Sequence, residues 1–109
     1  YRGQGKFAEA LPVAKRALGI KEKVYGENQV EVARCLSNLA LIQIGLAQYA
    51  DAEQSLNRAL TIEETNYGSD HPNVAKLLDV LSDMYKKQGK AELSVWADAR
   101  AKQIRRNWR

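Results

Sequence analysis

The chain has 109 residues, of which 45% are hydrophobic, and a formal net charge of +4. This length supports one domain with a modest core, and no apolar run approaches the roughly 20 residues of a transmembrane helix. A single cysteine, Cys35, excludes an internal disulfide and favours a reducing compartment, so we expect a cytoplasmic protein without a membrane span.

The positive charge is concentrated near the end of the sequence. Residues 1–89 carry 11 basic and 11 acidic side chains, whereas residues 90–109 carry six basic and two acidic ones. Any general affinity for anionic surfaces is therefore expected only from the last segment.

An internal repeat of 42 residues organises the sequence. When the chain is shifted by 42 positions, residues 1–42 match residues 43–84 at 14 positions. A third copy begins at 85–90, where "YKKQGK" resembles "YRGQGK" at 1–6. About two and a half copies therefore fill the chain, and each residue is best interpreted beside its counterpart 42 positions away.

Apolar and small residues recur at helical spacing in five stretches, and no alternating strand pattern is present. In chain order the predicted helices cover 6–24, 30–45, 48–66, 72–88 and 90–107. The predicted inward residues of the second and fourth helices are Val32, Ala33, Leu36, Leu39, Ala40 and Gln43, and Val74, Ala75, Leu78, Leu81, Ser82 and Tyr85. Those of the other three are Phe7, Ala10, Ala14, Ala17, Leu18 and Val24; Tyr49, Ala52, Leu56, Ala59, Leu60 and Ile62; and Leu93, Trp96, Ala97, Ala101, Ile104 and Trp108.

The first residues indicate how the chain relates to its repeat. Tyr1 to Gly5 match Tyr85 to Gly89, which end the fourth predicted helix. This match predicts a fragment of a longer array in which the helix over 6–24 exposes part of its apolar face. We expect either self-association or upstream sequence to cover that face.

The only histidine, His71, lies in a helix-start signal. Ser69 and Asp70 are predicted to cap the helix that follows, and Pro72 fits its first turn, where no amide hydrogen is needed. The earlier copy has Gln29 in place of His71, and no second histidine or nearby nucleophile accompanies it. We therefore predict no catalytic residue and no enzymatic activity.

The repeat resembles the tetratricopeptide repeat family. The residues that carry this resemblance are Leu36, Leu39, Ala40, Tyr49, Ala52, Leu56 and Ala59, and then Leu78, Leu81, Ser82 and Tyr85. The 42-residue unit is longer than the common 34-residue one and is similar to the repeats of kinesin light chain. The resemblance implies an all-α, right-handed solenoid of antiparallel helix pairs, with a concave groove that binds a peptide or partner segment.

Helical geometry predicts the residues that would line such a groove, because they lie opposite the inward stripes of the second and fourth helices. They are Arg34, Ser37, Asn38, Leu41, Ile44, Lys76, Asp79, Asp83 and Lys86. Leu41 and Ile44 would provide an apolar anchor, or alternatively would pack against a neighbouring helix. Asp79 and Asp83 share a face with several lysines, which favours a solvated mixed-charge surface, and neither a metal site nor a cofactor is predicted.

The last helix offers an alternative function. Its basic patch consists of Lys102, Arg105, Arg106 and Arg109, beside which Trp108 could stack on a base or anchor at a membrane surface. Cations also stabilise a helix C-terminus, and the outer face of a terminal repeat must be polar. Nucleic-acid or acidic-surface binding is therefore the second hypothesis, after capture of another protein.

Overall fold

The computed structural model describes the backbone of residues 2–107 and the side chains of residues 6–107. Over that range the chain forms five α-helices and no strand. They are α1 (Arg2–Tyr25), α2 (Val30–Gly45), α3 (Tyr49–Tyr67), α4 (Pro72–Lys87) and α5 (Ala91–Asn107). The prediction of an all-α helical repeat is confirmed.

The helices repeat with the period of the sequence. α2 and α4 begin 42 residues apart, at Val30 and Pro72, and α1 and α3 end 42 residues apart, at Tyr25 and Tyr67. The helices α2 to α5 lie within one residue of their predicted bounds, whereas α1 begins at Arg2, four residues before its predicted start. Residues 2–5, which match the end of α4, are thus part of α1, and both Gly3 and Gly5 are helical.

The chain divides into two compact units. Unit 1 is Tyr1–Ile62 and contains α1, α2 and most of α3, and unit 2 is Glu63–Arg109 and contains the end of α3, α4 and α5. The boundary lies within α3. Each unit therefore contains one copy of the first helix of the repeat, α2 in unit 1 and α4 in unit 2, and we call these two the first-type helices.

Glycines end the helices where the chain must adopt a left-handed conformation. Gly26 and Gly68 have φ angles of +87° and +92°, and their amides donate to carbonyls four residues earlier, at 2.9 and 2.8 Å. This is the left-handed C-cap geometry that glycine favours. At the start of α4, however, the N-cap is His71, whose Nδ1 accepts from the Asn73 amide at 3.1 Å. The prediction that Ser69 and Asp70 cap this helix is therefore wrong.

In unit 1, the predicted stripe of α2 is wholly buried, from Val32 to Gln43. The Ser55 hydroxyl of α3 donates to Gln43 Oε1 at 2.9 Å, so the polar end of the stripe has a partner inside the core. α1 packs on α2 through Phe7, whose ring lies against Gly45, where only a hydrogen leaves room. Cys35 is half-buried.

In unit 2, the predicted stripe of α4 is also buried throughout, together with Leu77 and Met84. α4 packs against α5, and the Ser82 hydroxyl lies 3.0 Å from that of Ser94 at their interface. The buried residues of α5 are Ser94, Ala97, Ala101 and Ile104.

Two predicted inward positions of α5 are corrected by the structure. Leu93 and Trp96 are both exposed, because they lie beside the buried stripe of Ser94, Ala97 and Ile104 and not on it. Trp108, the last residue of the predicted seam, lies outside the described residues.

α1 also differs from its prediction. Phe7, Ala10, Ala14 and Leu18 are half-buried, but Ala17 and Val24 are exposed. One face of α1 therefore packs on α2 while another remains open to solvent.

Candidate functional site

The outward face of α2 is accessible along its length. Arg34 and Asn38 are exposed, and Ser37 and Ile44 are half-buried. The exposed fraction of Leu41 is 50%. The exposed Leu41, which follows the Arg34 guanidinium and the Asn38 amide along the helix, provides one apolar contact beside several hydrogen-bonding groups. The described side chains of this face thus combine apolar and hydrogen-bonding groups, and none of them is a histidine, cysteine or carboxylate.

The corresponding face of α4 is more highly charged. Lys76, Asp83 and Lys86 are exposed, and Asp79 is half-buried on the same side. At the end of the helix, Lys86 and the α5 residues Ala91 and Val95 border a shallow cleft of about 270 Å³. Unit 2 therefore presents both signs of charge beside a small apolar depression.

Asp79 is already engaged inside unit 2. Both of its carboxylate oxygens accept hydrogen bonds from the Arg105 guanidinium of α5, one of them at 3.2 Å. The hydrogen bond to Asp79 raises the pKa of Arg105 above its ordinary value. Asp79 is thus a link between α4 and α5, a role that separates it from the other residues predicted for the groove.

The predicted basic patch of α5 is partly neutralised in the same way. Lys102 Nζ lies 3.1 Å from Asp98 Oδ2, and Arg105 bonds to Asp79. Arg106 is exposed and forms no ion pair within residues 6–107, while Arg109 lies outside the described residues. The patch therefore contains one unpaired cation in the part that the structure describes, which weakens the case for a phosphate-binding surface.

The residues that could suggest catalysis have structural partners. His71 stacks on Tyr67 with ring centroids 4.5 Å apart and caps α4. Glu63 accepts from Asn73 Nδ2 at 3.2 Å, and Glu64 bonds to Arg100 at 2.9 Å. Within the described residues, no group of histidine, cysteine and carboxylate side chains is arranged to hold a metal ion.

Several large apolar side chains are exposed outside the predicted site residues. They include Val13 and Ile20 on α1, where an exposed apolar face was predicted without its residues, and Leu93, Val95 and Trp96 on α5, whose exposure was not predicted. For α5 a signal was available, because the counterparts of Leu93, Val95 and Trp96 in α3 are Asp51, Glu53 and Gln54. A position that is polar in one copy is a poor candidate for the core of the next.

None of the helices, over residues 2–107, is long and apolar enough to cross a bilayer.

Comparison with known families gives one match. The model of the tetratricopeptide repeat family matches residues 1–65, which is more than half of the chain. A search of curated proteins finds no match.

Proposed function

Because the chain belongs to the tetratricopeptide repeat family, whose repeats are generally non-enzymatic protein–protein interaction modules, we propose that it binds a segment of another protein. The segment is extended or helical, and the surfaces that we assign to such binding are the outward face of α2 in unit 1 and, separately, that of α4 in unit 2. The observation that carries this proposal is the exposure of Leu41 on a face that also presents the polar side chains of Arg34 and Asn38.

On α2, each side chain has a distinct role in this proposal. Leu41 takes one apolar side chain of the partner, and such anchors provide much of the affinity of an interface. The Asn38 amide both donates to and accepts from a peptide backbone, so it holds a segment without reading its sequence. Arg34 favours a partner with an acidic residue nearby.

On α4, the charges set the preference of the site. Lys76 and Lys86 attract acidic residues, whereas Asp83 disfavours them close to its own position. Asp79 contributes little to this preference, because its carboxylate is bonded to Arg105. We therefore expect a partner segment in which acidic residues alternate with apolar ones, and not a uniformly acidic one.

The test begins with peptides selected from a displayed random library against the unmodified chain. The affinity of the best peptide is then measured for Leu41→Asp and for Lys76→Glu. Each substitution should weaken binding by about ten-fold or more, as is typical for interface anchors, while the circular dichroism spectrum stays helical. Val24→Asp, which also places a carboxylate at an exposed apolar position on a helix, is the matched control and should leave the affinity unchanged.

The alternative function is separated by a second pair of measurements. Arg106→Glu removes the unpaired cation of α5 without breaking the bond between Arg105 and Asp79. If this substitution abolishes binding while Leu41→Asp does not, the groove hypothesis is wrong and the basic helix is the binding surface. Binding to phosphate groups would also weaken steeply with added salt, whereas binding to an apolar anchor would not.

Two finer assignments stay predictions. The 42-residue spacing of the helices supports the long-repeat subtype that resembles kinesin light chain. The single unpaired cysteine supports a reducing compartment such as the cytoplasm.

A further inference from the structure

The segment that joins α4 to the start of α5 exposes both apolar and basic side chains. The exposed fractions of Leu93, Val95 and Trp96 are 42%, 66% and 50%, and Lys87 and Lys90 are exposed as well. We call these five residues the tip of unit 2. None of them belongs to the faces of α2 and α4 to which we assign partner binding.

The corresponding segment of unit 1 has the opposite charge. Residues 44–54 contain two acidic side chains and no basic one, which gives a net charge of −2. Residues 86–96 contain three basic side chains and one acidic one, which gives +2. The three apolar residues of the tip stand where α3 has Asp51, Glu53 and Gln54. The tip of unit 2 is therefore a property of one copy and not of the repeat.

The exposure of the tip does not depend on a neighbouring repeat. In the chain, α4 is preceded by α3 just as α2 is preceded by α1, so both turns have a helix before them. On the other side, Asp51 and Gln54 of α3 are exposed although two further helices follow α3. By this pattern a further repeat after α5 would leave Leu93 and Trp96 exposed too.

The apolar residues of the tip surround the start of α5 and do not form a stripe along it. Successive residues of an α-helix point about 100° apart, so Val95, Trp96 and Leu93 cover about 160° of its circumference. Beyond them, every exposed residue of α5 up to Asn107 is polar or charged except Ala99. A partner helix needs apolar residues spaced along several turns, whereas a cluster confined to the first turn suits end-on contact with an extended surface.

We propose that the tip of unit 2 contacts the surface of an anionic membrane. Its apolar side chains enter the boundary between headgroups and acyl chains, a region in which tryptophan is favoured. The lysine ammonium groups bind the anionic headgroups, so buried apolar area and electrostatic attraction act together. The contact is peripheral, since only side chains of the tip enter the membrane.

The charge of the tip argues against a second copy as its occupant. Two copies that meet through residues 86–96 would each bring a net charge of +2 to one contact, and like charges at an interface are unfavourable. An anionic membrane surface has the opposite charge. Because it is extended, it can also contact Leu93 and Val95 at once, although they lie on different sides of α5.

The experiment measures binding of the 109-residue chain to vesicles of phosphatidylcholine and phosphatidylserine in equal parts, with vesicles of phosphatidylcholine alone for comparison. Trp108→Phe leaves Trp96 as the single tryptophan, so its fluorescence reports on the tip. On addition of the phosphatidylserine vesicles, the emission should shift to shorter wavelength because the ring leaves water. The bound fraction, measured by co-sedimentation, should fall with added salt.

Substitutions taken from unit 1 then locate the contact. Val95→Glu and Trp96→Gln introduce the residues that α3 has at these positions, so they are compatible with the repeat. Each should weaken vesicle binding by about ten-fold or more. Lys87→Gln and Lys90→Gln should each weaken it by about five-fold. The circular dichroism spectrum of all four variants should stay helical.

Two variants are matched controls. Val24→Glu makes the same chemical change as Val95→Glu at an equally exposed valine of α1, and Arg106→Gln removes an exposed cation near the other end of α5. Both should bind vesicles as the unmodified chain does. Trp96→Gln should in turn leave the affinity for the library-selected peptide unchanged, because the tip is separate from the faces of α2 and α4.

Several outcomes would overturn the proposal. They are an absence of vesicle binding, equal binding to both kinds of vesicle, an unchanged emission of Trp96, and equal losses for Val95→Glu and Val24→Glu. Loss of binding in Arg106→Gln alone would place the contact on the basic patch of α5.

Three further results would assign the tip to another occupant and so contradict the membrane contact. A dimer seen by sedimentation and lost in Trp96→Gln would make the occupant a second copy. A library-selected peptide that binds only when Trp96 is intact would make it a protein. Displacement of the chain from vesicles by soluble glycerophosphoserine would make it a free headgroup.

Discussion

The helical hairpin α2–α3 of unit 1 and the hairpin α4–α5 of unit 2 each have a buried seam with the same pattern of residues, but their turns differ. The turn of unit 1 reads Ile44, Gly45, Leu46, Ala47 and Gln48, and that of unit 2 reads Lys86, Lys87, Gln88, Gly89 and Lys90. Gly45 is covered by Phe7 of α1, whereas all three lysines are exposed. The two copies of the repeat thus have similar residues at the interface between their paired helices. They differ at the turns, one of which is covered by Phe7 while the other is exposed.

The largest expected effect tests whether the two seams are equivalent. Leu36 and Leu78 occupy the same position in the two hairpins, and both are buried. Truncation of either to alanine leaves a cavity and should lower the free energy of unfolding by about 2–5 kcal/mol. Urea denaturation measures both losses, and a loss below about 1 kcal/mol for one of them would break the equivalence.

A second prediction sharpens the contrast at the turns. A Cβ added at Gly45 would clash with the ring of Phe7, so Gly45→Ala must displace the ring. We expect a loss of about 1–3 kcal/mol, although alanine is the better helix former. Lys87→Ala, the control at the counterpart position, should change stability by less than about 0.5 kcal/mol.

The origin of that loss can be checked by a double substitution. In a Phe7→Ala background, Gly45→Ala should no longer be destabilising, because the clash has been removed. If Gly45→Ala still lowers the free energy of unfolding in the absence of the Phe7 ring, the backbone at position 45 itself requires glycine.

A third prediction concerns the residue with a positive φ angle in each turn, which is alanine in unit 1 and glycine in unit 2. Ala47 has a φ of +60° and its counterpart Gly89 has +75°, a conformation in which a Cβ is disfavoured. Ala47→Gly should therefore stabilise the chain by about 0.5–1 kcal/mol, and Gly89→Ala should destabilise it by a similar amount. Thermal unfolding of both variants measures the pair, and two shifts of the same sign would contradict the account.

The smallest effect concerns the ion pair that only unit 2 possesses. Asp79 and Arg105 have Ser37 and Glu63 as counterparts, so unit 1 lacks this link. Because both side chains are substantially exposed, Asp79→Asn should cost less than about 1 kcal/mol, and added salt should reduce that cost further. A larger, salt-independent loss would show that the pair has a structural role that its exposure does not suggest.

Sequence reasoning worked where the relevant information is local or repeated. The period of 42 residues located α2 to α5, and helical spacing identified the seams around Leu36 and Leu78, because burial of one helix face imposes a regular pattern. It failed for Asp79, whose partner Arg105 lies 26 residues away and is set by the packing of α4 on α5. The repeat predicted that α1 exposes part of its apolar face, but spacing alone could not name the exposed residues, since Ile20 has the same residue type as its buried counterpart Ile62.

The central claim is that this chain holds a partner segment on the outward faces of its first-type helices. The most direct test is an NMR titration of the isotope-labelled chain with a library-selected peptide, observing every backbone amide. The account predicts the largest shift changes near Arg34, Asn38 and Leu41 on α2 and near Lys76 and Asp83 on α4. Changes confined to α5 around Arg106, with these five residues unaffected, would contradict it.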